Sequence, residues 1–200
     1  MIQDQTINQD MLVEPSLIIV ISGKRKSGKD FVALKLSEQI GIDQCNILHL
    51  SAPLKRQYAD LHGLNYNDLL SSSQYKETYR KSMILWGENQ RKKDKFFFCK
   101  LCVQEASKPV WIVADARRPV DIEFFRSNFQ NCTVFVRIAA SDKTRASRGW
   151  EFVSGVDDSN SECALDEGFR WDFELLNDGS EGLSEKLDSY IQELHKKYNF

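Results

Sequence analysis

Histidine, cysteine and proline are scarce in this 200-residue chain, with three His, five Cys and four Pro. His49, His62 and His195 stand far apart and serve no serine or cysteine nucleophile motif, so triad-type hydrolysis is excluded. Cys99 and Cys102 have zinc-ligand spacing, but no second Cys pair or His pair completes a structural site, and they read as half-buried thiols on a helix. An odd cysteine count (Cys45, Cys99, Cys102, Cys132, Cys163) fits reduced thiols in a cytosol-like compartment, not a disulfide framework. With ten Gly and 42% hydrophobic residues, the chain is neither collagen-like nor disordered. No uninterrupted apolar run exceeds five residues, as at Leu17–Ile21. A membrane-spanning helix needs ~20. Met1–Ser16 is polar and acidic, where a secretory signal starts basic and continues apolar. The ending Lys197-Tyr198-Asn199-Phe200 is not a peroxisomal address, so a cytoplasmic location is expected.

A large excess of one charge is missing as well: the formal net charge is −2. That near-neutrality hides an asymmetry. Residues 1–148 hold 23 Lys and Arg against 16 Asp and Glu, whereas residues 149–200 hold 4 against 13. A basic body with an acidic last quarter leaves two openings: nucleic-acid binding with an acidic tail, or a site for a small polyanion. No interleaved Arg/aromatic platform or recognition motif supports the first.

What the chain does have is a run of short Val-, Ile- and aromatic-rich stretches separated by helical patterns. Ser16–Ser22, Cys45–Leu50, Val110–Ala114, Cys132–Ile138 and Phe173–Leu176 read as buried strands. Lys29–Ile40, Pro53–His62, Asp68–Gln90, Phe96–Ser107, Val120–Phe129 and Leu183–Lys197 read as helices. The alternation predicts an α/β fold, a central parallel sheet with helices on both faces, in a single domain over 1–200. Two connections are longer than usual, about 53–95 and about 139–170, and are the candidates for function.

Directly after the first strand comes Gly23-Lys24-Arg25-Lys26-Ser27-Gly28-Lys29-Asp30, followed by the amphipathic run Phe31, Leu34, Leu36 and Ile40. This is Gly-x4-Gly-Lys in its required strand–loop–helix setting. The two glycines let successive N–H groups turn inward, the helix adds its positive end, and the fixed dipoles suit a polyphosphate that Lys29 can reach. Asp30 stands where a hydroxyl usually meets Mg²⁺, and a carboxylate is also a good oxygen ligand. A second candidate ligand is Asp115, which ends the strand Val110–Ala114. Arg117 and Arg118 follow it and face the crevice at the carboxyl ends of the strands.

In the first long connection, Lys76, Arg80 and Arg91 fall on one side of a single helix and, with Lys55 upstream, can meet one anionic ligand. Tyr75, Tyr79, Met83 and Trp86 recur at helical spacing and read as packing. In the second, Arg137 closes a strand, and Arg145 and Arg148 lie on a segment suited to closing over a nucleotide. The acids that follow, Asp157, Asp158, Glu162 and Asp166, read as a solvated loop, the alternative being neutralisation of that segment. Asp60-Leu-His-Gly63 matches a GTPase string but has no guanine-reading partner.

Gly23-Lys-Arg-Lys-Ser-Gly-Lys-Asp-Phe31, Pro53-Leu-Lys55, Tyr75-Lys-Glu, Arg80-Lys, Trp86-Gly-Glu, Asp115 with Arg117-Arg118, Arg148-Gly-Trp150 and Gly155-Val-Asp-Asp158 together resemble animal-type phosphomevalonate kinase. The resemblance runs from about Leu17 to Asn177. It implies a three-layer P-loop kinase fold like the nucleoside monophosphate kinases, with a substrate-binding region near 53–95 and a lid near 139–170. The implied reaction is ATP-dependent phosphorylation of 5-phosphomevalonate with Mg²⁺, on a monomer with no nucleic-acid or membrane partner. A kinase for another small phosphorylated substrate is the alternative. By the same resemblance Gly23 to Asp30 with Arg145, Arg148 and Asn177 bind ATP, and Lys29, Arg117 and Arg148 assist transfer. Lys55, Lys76, Arg80, Arg91, Arg117, Arg118, Arg137 and Asn177 bind substrate, and Asp30 and Asp115 hold the metal. Lys100 stands where the family often has Arg, and Asp178 where it has His.

Overall fold

Five stretches of β-branched and aromatic residues lie side by side, all parallel: β1 (Leu17–Ser22), β2 (Cys45–Leu48), β3 (Val110–Ala116), β4 (Thr133–Ala139) and β5 (Phe173–Leu176). Their order is β2-β3-β1-β4-β5. The computed structural model describes residues 14–70, 74–179 and 182–198. The readings made on Met1–Val13 and on the last two residues lie outside that range. Among the described residues no helix is long and apolar enough to cross a membrane.

Every residue of β1 and β3 is buried, which is why both read as unbroken apolar runs. Alternate side chains serve opposite faces. Leu17, Ile19 and Ile21 join Val32, Ala33 and Leu36 of α1 (Lys29–Ile40) and Leu187, Tyr190, Ile191 and Leu194 of α9 (Leu183–Tyr198). Ile18, Val20, Trp111 and Val113 pack against Cys99, Cys102 and Val103 of α5 (Phe97–Val103) and Ile122, Phe124 and Phe125 of α6 (Pro119–Asn128). Three layers result. Cys99 and Cys102 are 3% and 2% exposed, so the thiols expected to be half-buried are core residues.

A separate small core is formed by Tyr58, Ala59, Leu69 and Met83, with Tyr75, Tyr79 and Trp86 packed on it. It joins α2 (Ser51–His62), α3 (Tyr66–Leu70) and α4 (Gln74–Lys93), the helices of the first long connection. The helix expected over Asp68–Gln90 is therefore two helices, with residues 71–73 outside the described set. The strand expected to reach Leu50 stops at Leu48, because Leu50 already has right-handed helical angles (φ −60, ψ −23) as the cap of α2. In the second connection, two short helices appear that the hydrophobic pattern had not announced, α7 (Asp142–Ser147) and α8 (Asn160–Cys163). They are too short for a 3.6-residue period to emerge.

The sheet decides where the site can be. β1 lies between β3 and β4, with Ser22 in register with both Ala116 and Arg137. The carboxyl ends of three central strands therefore open into one crevice, where ligands bind in such sheets.

Candidate active site

Between Ser22 and Lys29 the chain forms a tight loop. Gly28 has φ +90, and a Cβ there would stand 2.2 Å from Asn177 Nδ2. A Cβ on Gly23 would stand 2.3 Å from the Ile138 carbonyl oxygen. Only glycine fits either place. Lys26 also adopts a left-handed conformation (φ 61), curling the loop further. Lys29 Nζ donates to the carbonyl oxygens of Gly23 (2.7 Å) and Lys24 (2.9 Å), folding its side chain back along the loop. Burial and then Arg117 push its pKa down to about 7. Ser27 Oγ is buried with no hydrogen-bond partner among the described residues. Asp30 is exposed in the first turn of α1.

The 139–170 segment and the end of β5 hold this loop by its carbonyls. Arg148 donates to the Ser27 carbonyl (3.1 Å) and to the Asn177 carbonyl (2.8 Å). Asn177 Nδ2 donates to the same Ser27 oxygen (3.0 Å). Arg145 Nε donates to the Arg25 carbonyl (2.9 Å), and its guanidinium lies 3.9 Å from the Trp150 ring centroid. Arg145, Arg148 and Asn177, expected at ATP, are thus brought to the phosphate loop. Asp178 accepts from Ser141 N (2.7 Å), anchoring the start of that segment, and Lys100 pairs with Asp94 (2.8 Å) away from the loop.

Beside the loop lies a cavity of about 170 Å³ lined by Lys55, Lys76, Arg80, Arg91, Arg117 and Arg118, with Leu54, Met83, Ile84 and Val156 as apolar wall. Six cations expected from the sequence to meet one ligand are therefore together, drawn from α2, α4 and the end of β3. Burial, then Lys55 and Arg80, push Lys76 down to about 8. Arg137 and Asn177, also expected at the substrate, stand outside this lining. The register that sets Arg137 opposite Ser22 turns its guanidinium to Ser22 Oγ (3.1 Å) and Asp166 (2.5 Å).

Asp115 and Asp121 have duties that the sequence reading did not foresee. Asp115 lines the cavity, and its oxygens accept the N–H groups of Leu50 (2.6 Å) and Ser51 (3.2 Å), so the carboxylate caps α2. Burial acts to raise its pKa, but His49, Ser51, Arg117 and Lys55 outweigh it and hold it below the ordinary carboxylate range. Asp121 Oδ2 accepts from both Arg117 N and Arg118 N at 3.0 Å, which fixes the backbone carrying the arginine pair. A Pro at the first position of a helix with Asp two residues later was the available signal.

The acids of the second connection are not simply solvated. Asp157 pairs with Arg25 (2.8 Å) and accepts from Trp150 Nε1 (3.0 Å) and Val153 N (2.8 Å). Glu162 pairs with Arg117, and Asp166 pairs with Lys24 as well as Arg137. These acids neutralise cations of the loop and of the β3 and β4 ends, which is neither the solvated loop nor the neutralisation of their own segment expected from the sequence. Tertiary folding brings Asp157 and Asp166 more than a hundred residues back along the chain onto the phosphate loop, and Glu162 onto Arg117.

The phosphomevalonate kinase family model matches residues 21–131. A phosphomevalonate kinase of Drosophila melanogaster is 37% identical over 189 residues, covering 90% of this chain and 98% of that protein. The chain belongs to the phosphomevalonate kinase family. The stretch matching the family model runs from the end of β1 through α6, so it holds the phosphate loop and the six cations of the cavity, Arg117 and Arg118 among them, whereas Val156 and Glu162 of the lining, α7, α8 and β5 lie beyond it. Among solved structures, TT1252 from Thermus thermophilus superposes with a TM-score of 0.50 at 19% identity, covering 91% of this chain and 99% of that one. A gluconokinase from Sinorhizobium meliloti gives a TM-score of 0.48 at 17% identity, covering 94% and 96%. The three-layer P-loop kinase fold expected from the sequence is the fold observed.

Proposed function

We propose that this protein transfers the γ-phosphoryl of ATP to the phosphate of 5-phosphomevalonate, yielding 5-diphosphomevalonate and ADP in the mevalonate route to isoprenoids and sterols. The observation that carries the reading is the phosphate loop standing beside a cavity lined by six cations. A phosphate acceptor is already a nucleophile, so catalysis here is positioning and charge neutralisation with little need of a base.

In this reading residues 53–95 bind the acceptor and residues 139–170 are the lid of a single-domain, cytoplasmic, monomeric enzyme. Gly23 to Asp30 cradle the ATP phosphates, and the buried, unpartnered Ser27 Oγ offers them one more donor. Lys29 leaves its loop carbonyls for the β- and γ-phosphates. Arg117 and Arg148 neutralise charge on the transferring group, while Lys55, Lys76, Arg80, Arg91 and Arg118 hold the acceptor's anionic groups. The apolar wall of Leu54, Met83 and Ile84 suits the carbon skeleton between those groups.

The donor set fits Mg²⁺. Kinases hold it with one or two carboxylates plus phosphate oxygens, so Asp30 and Asp115 suffice although the described residues form no cluster of three acidic, His or Cys ligands. Bound there, Mg²⁺ would neutralise charge on the ATP phosphates.

Coupled detection of ADP with 5-phosphomevalonate, AMP, GMP and dTMP as competing acceptors tests the proposal. Turnover with 5-phosphomevalonate alone is expected. Preferred turnover of a nucleoside monophosphate would replace the acceptor and leave the kinase.

A further inference from the structure

A cavity built to receive phosphates should repel carboxylates, yet Glu162 is buried in its lining with a side chain only 4% exposed. Its carboxylate pairs with the Arg117 guanidinium, the cation nearest in role to the transferring phosphoryl. The two partners are held differently. Arg117 is fixed at its backbone by Asp121, so only its guanidinium is free to change partner. Glu162 comes from α8, a four-residue helix, and the segment leading to it is tied down separately through Asp157 and its bonds to Trp150, Val153 and Arg25. Glu162 can therefore leave Arg117 without releasing the whole segment.

We propose that Glu162 is a positioning residue that competes with phosphate for Arg117 and so limits how tightly the product is held. The inference rests on the reading of the cavity as the acceptor site. Phosphoryl transfer adds charge to the acceptor, and a diphosphate draws more from six cations than the monophosphate did. Without a competing anion, the site would grip its product harder than its substrate. A carboxylate that returns to Arg117 restores neutrality as the diphosphate departs, and it keeps a half-buried guanidinium paired between turnovers.

The test is Glu162→Gln, which keeps the shape and one acceptor oxygen but removes the charge, with Glu167→Gln, an exposed acid on the same segment, as control. Calorimetry with inorganic pyrophosphate needs no turnover and should show binding tightened by about tenfold in Glu162→Gln and unchanged in Glu167→Gln. In steady state with 5-phosphomevalonate, Glu162→Gln should lower KM and kcat together and lower the inhibition constant of 5-diphosphomevalonate. A residue that merely supported the fold would raise KM and lower the thermal midpoint. Pyrophosphate binding that is unchanged or weakened in a folded Glu162→Gln overturns the proposal. Should that variant not fold, Glu162→Asp, whose shorter arm retracts the charge, must still tighten pyrophosphate binding. If the wild type binds pyrophosphate but ignores 5-phosphomevalonate, the acceptor assignment fails while the competition is still measured.

Discussion

Burial lowers the pKa of Lys29 on the loop and of Lys76 in the cavity. Lys29 spends its donors on the Gly23 and Lys24 carbonyls, at 2.7 and 2.9 Å, which places its charge on the loop where phosphates are expected. Lys29→Met keeps the length and loses the charge. Turnover should fall roughly a hundredfold or more, with the thermal midpoint little changed, as read by the ADP assay and by differential scanning calorimetry. Lys76 titrates in an accessible range: burial, with Lys55 and Arg80 beside it, brings it down to about 8. A phosphate bound next to it favours the charged form and raises that value again. Acceptor affinity should therefore fall as pH rises through about 8, and binding near that pH should take up protons. Calorimetry in buffers of different ionisation heat reads the uptake, and Lys76→Arg, charged throughout, should abolish it.

Helix starts do double service in this molecule. The start of α2 is capped by Asp115 and the start of α6 by Asp121, and both carboxylates line the cavity of cations. Capping thus sets the direction in which Lys55, Arg117 and Arg118 leave the backbone. Asp121→Ala leaves two N–H groups without their acceptor and should cost about 1–3 kcal/mol by urea denaturation, with a raised acceptor KM. Asp121→Asn keeps an oxygen for both N–H groups and should recover most of each. The bounds of α1 were foreseen to the residue, but Phe31 and Leu34 of its expected apolar stripe are exposed and Val32, Ala33 and Leu36 make the buried face; α9 was foreseen to within one residue. The helices α7 and α8 were not, since each is too short for a periodic pattern and is held by contacts made elsewhere, such as the Arg145 bond to the Arg25 carbonyl.

Across the whole molecule, the uneven distribution of charge acquires a shape. The basic body supplies the cavity and the loop, while Asp157, Glu162 and Asp166 of the acidic quarter fold back onto Arg25, Arg117, Lys24 and Arg137. Ligands that engage loop and cavity bind the folded chain alone. At 100-fold excess over their dissociation constants each should add about 2.7 kcal/mol to unfolding, measured as a rise in thermal midpoint with ATP or 5-phosphomevalonate that AMP as acceptor analogue does not match. Much of this was legible beforehand. The phosphate loop is contiguous, so its glycines and Lys29 announce it, and Lys76, Arg80 and Arg91 share one helix face by spacing alone. Strand composition likewise settled the parallel three-layer fold, because strands buried on both faces must be apolar throughout. Only the tertiary structure decided which acids meet which cations, that Asp115 and Asp121 cap helices, and that Arg137 and Asn177 serve the loop side of the crevice. Those pairings join residues as far as 150 positions apart, as between Asn177 and Ser27. Local pattern cannot encode them, because they depend on the order and register in which the strands come together.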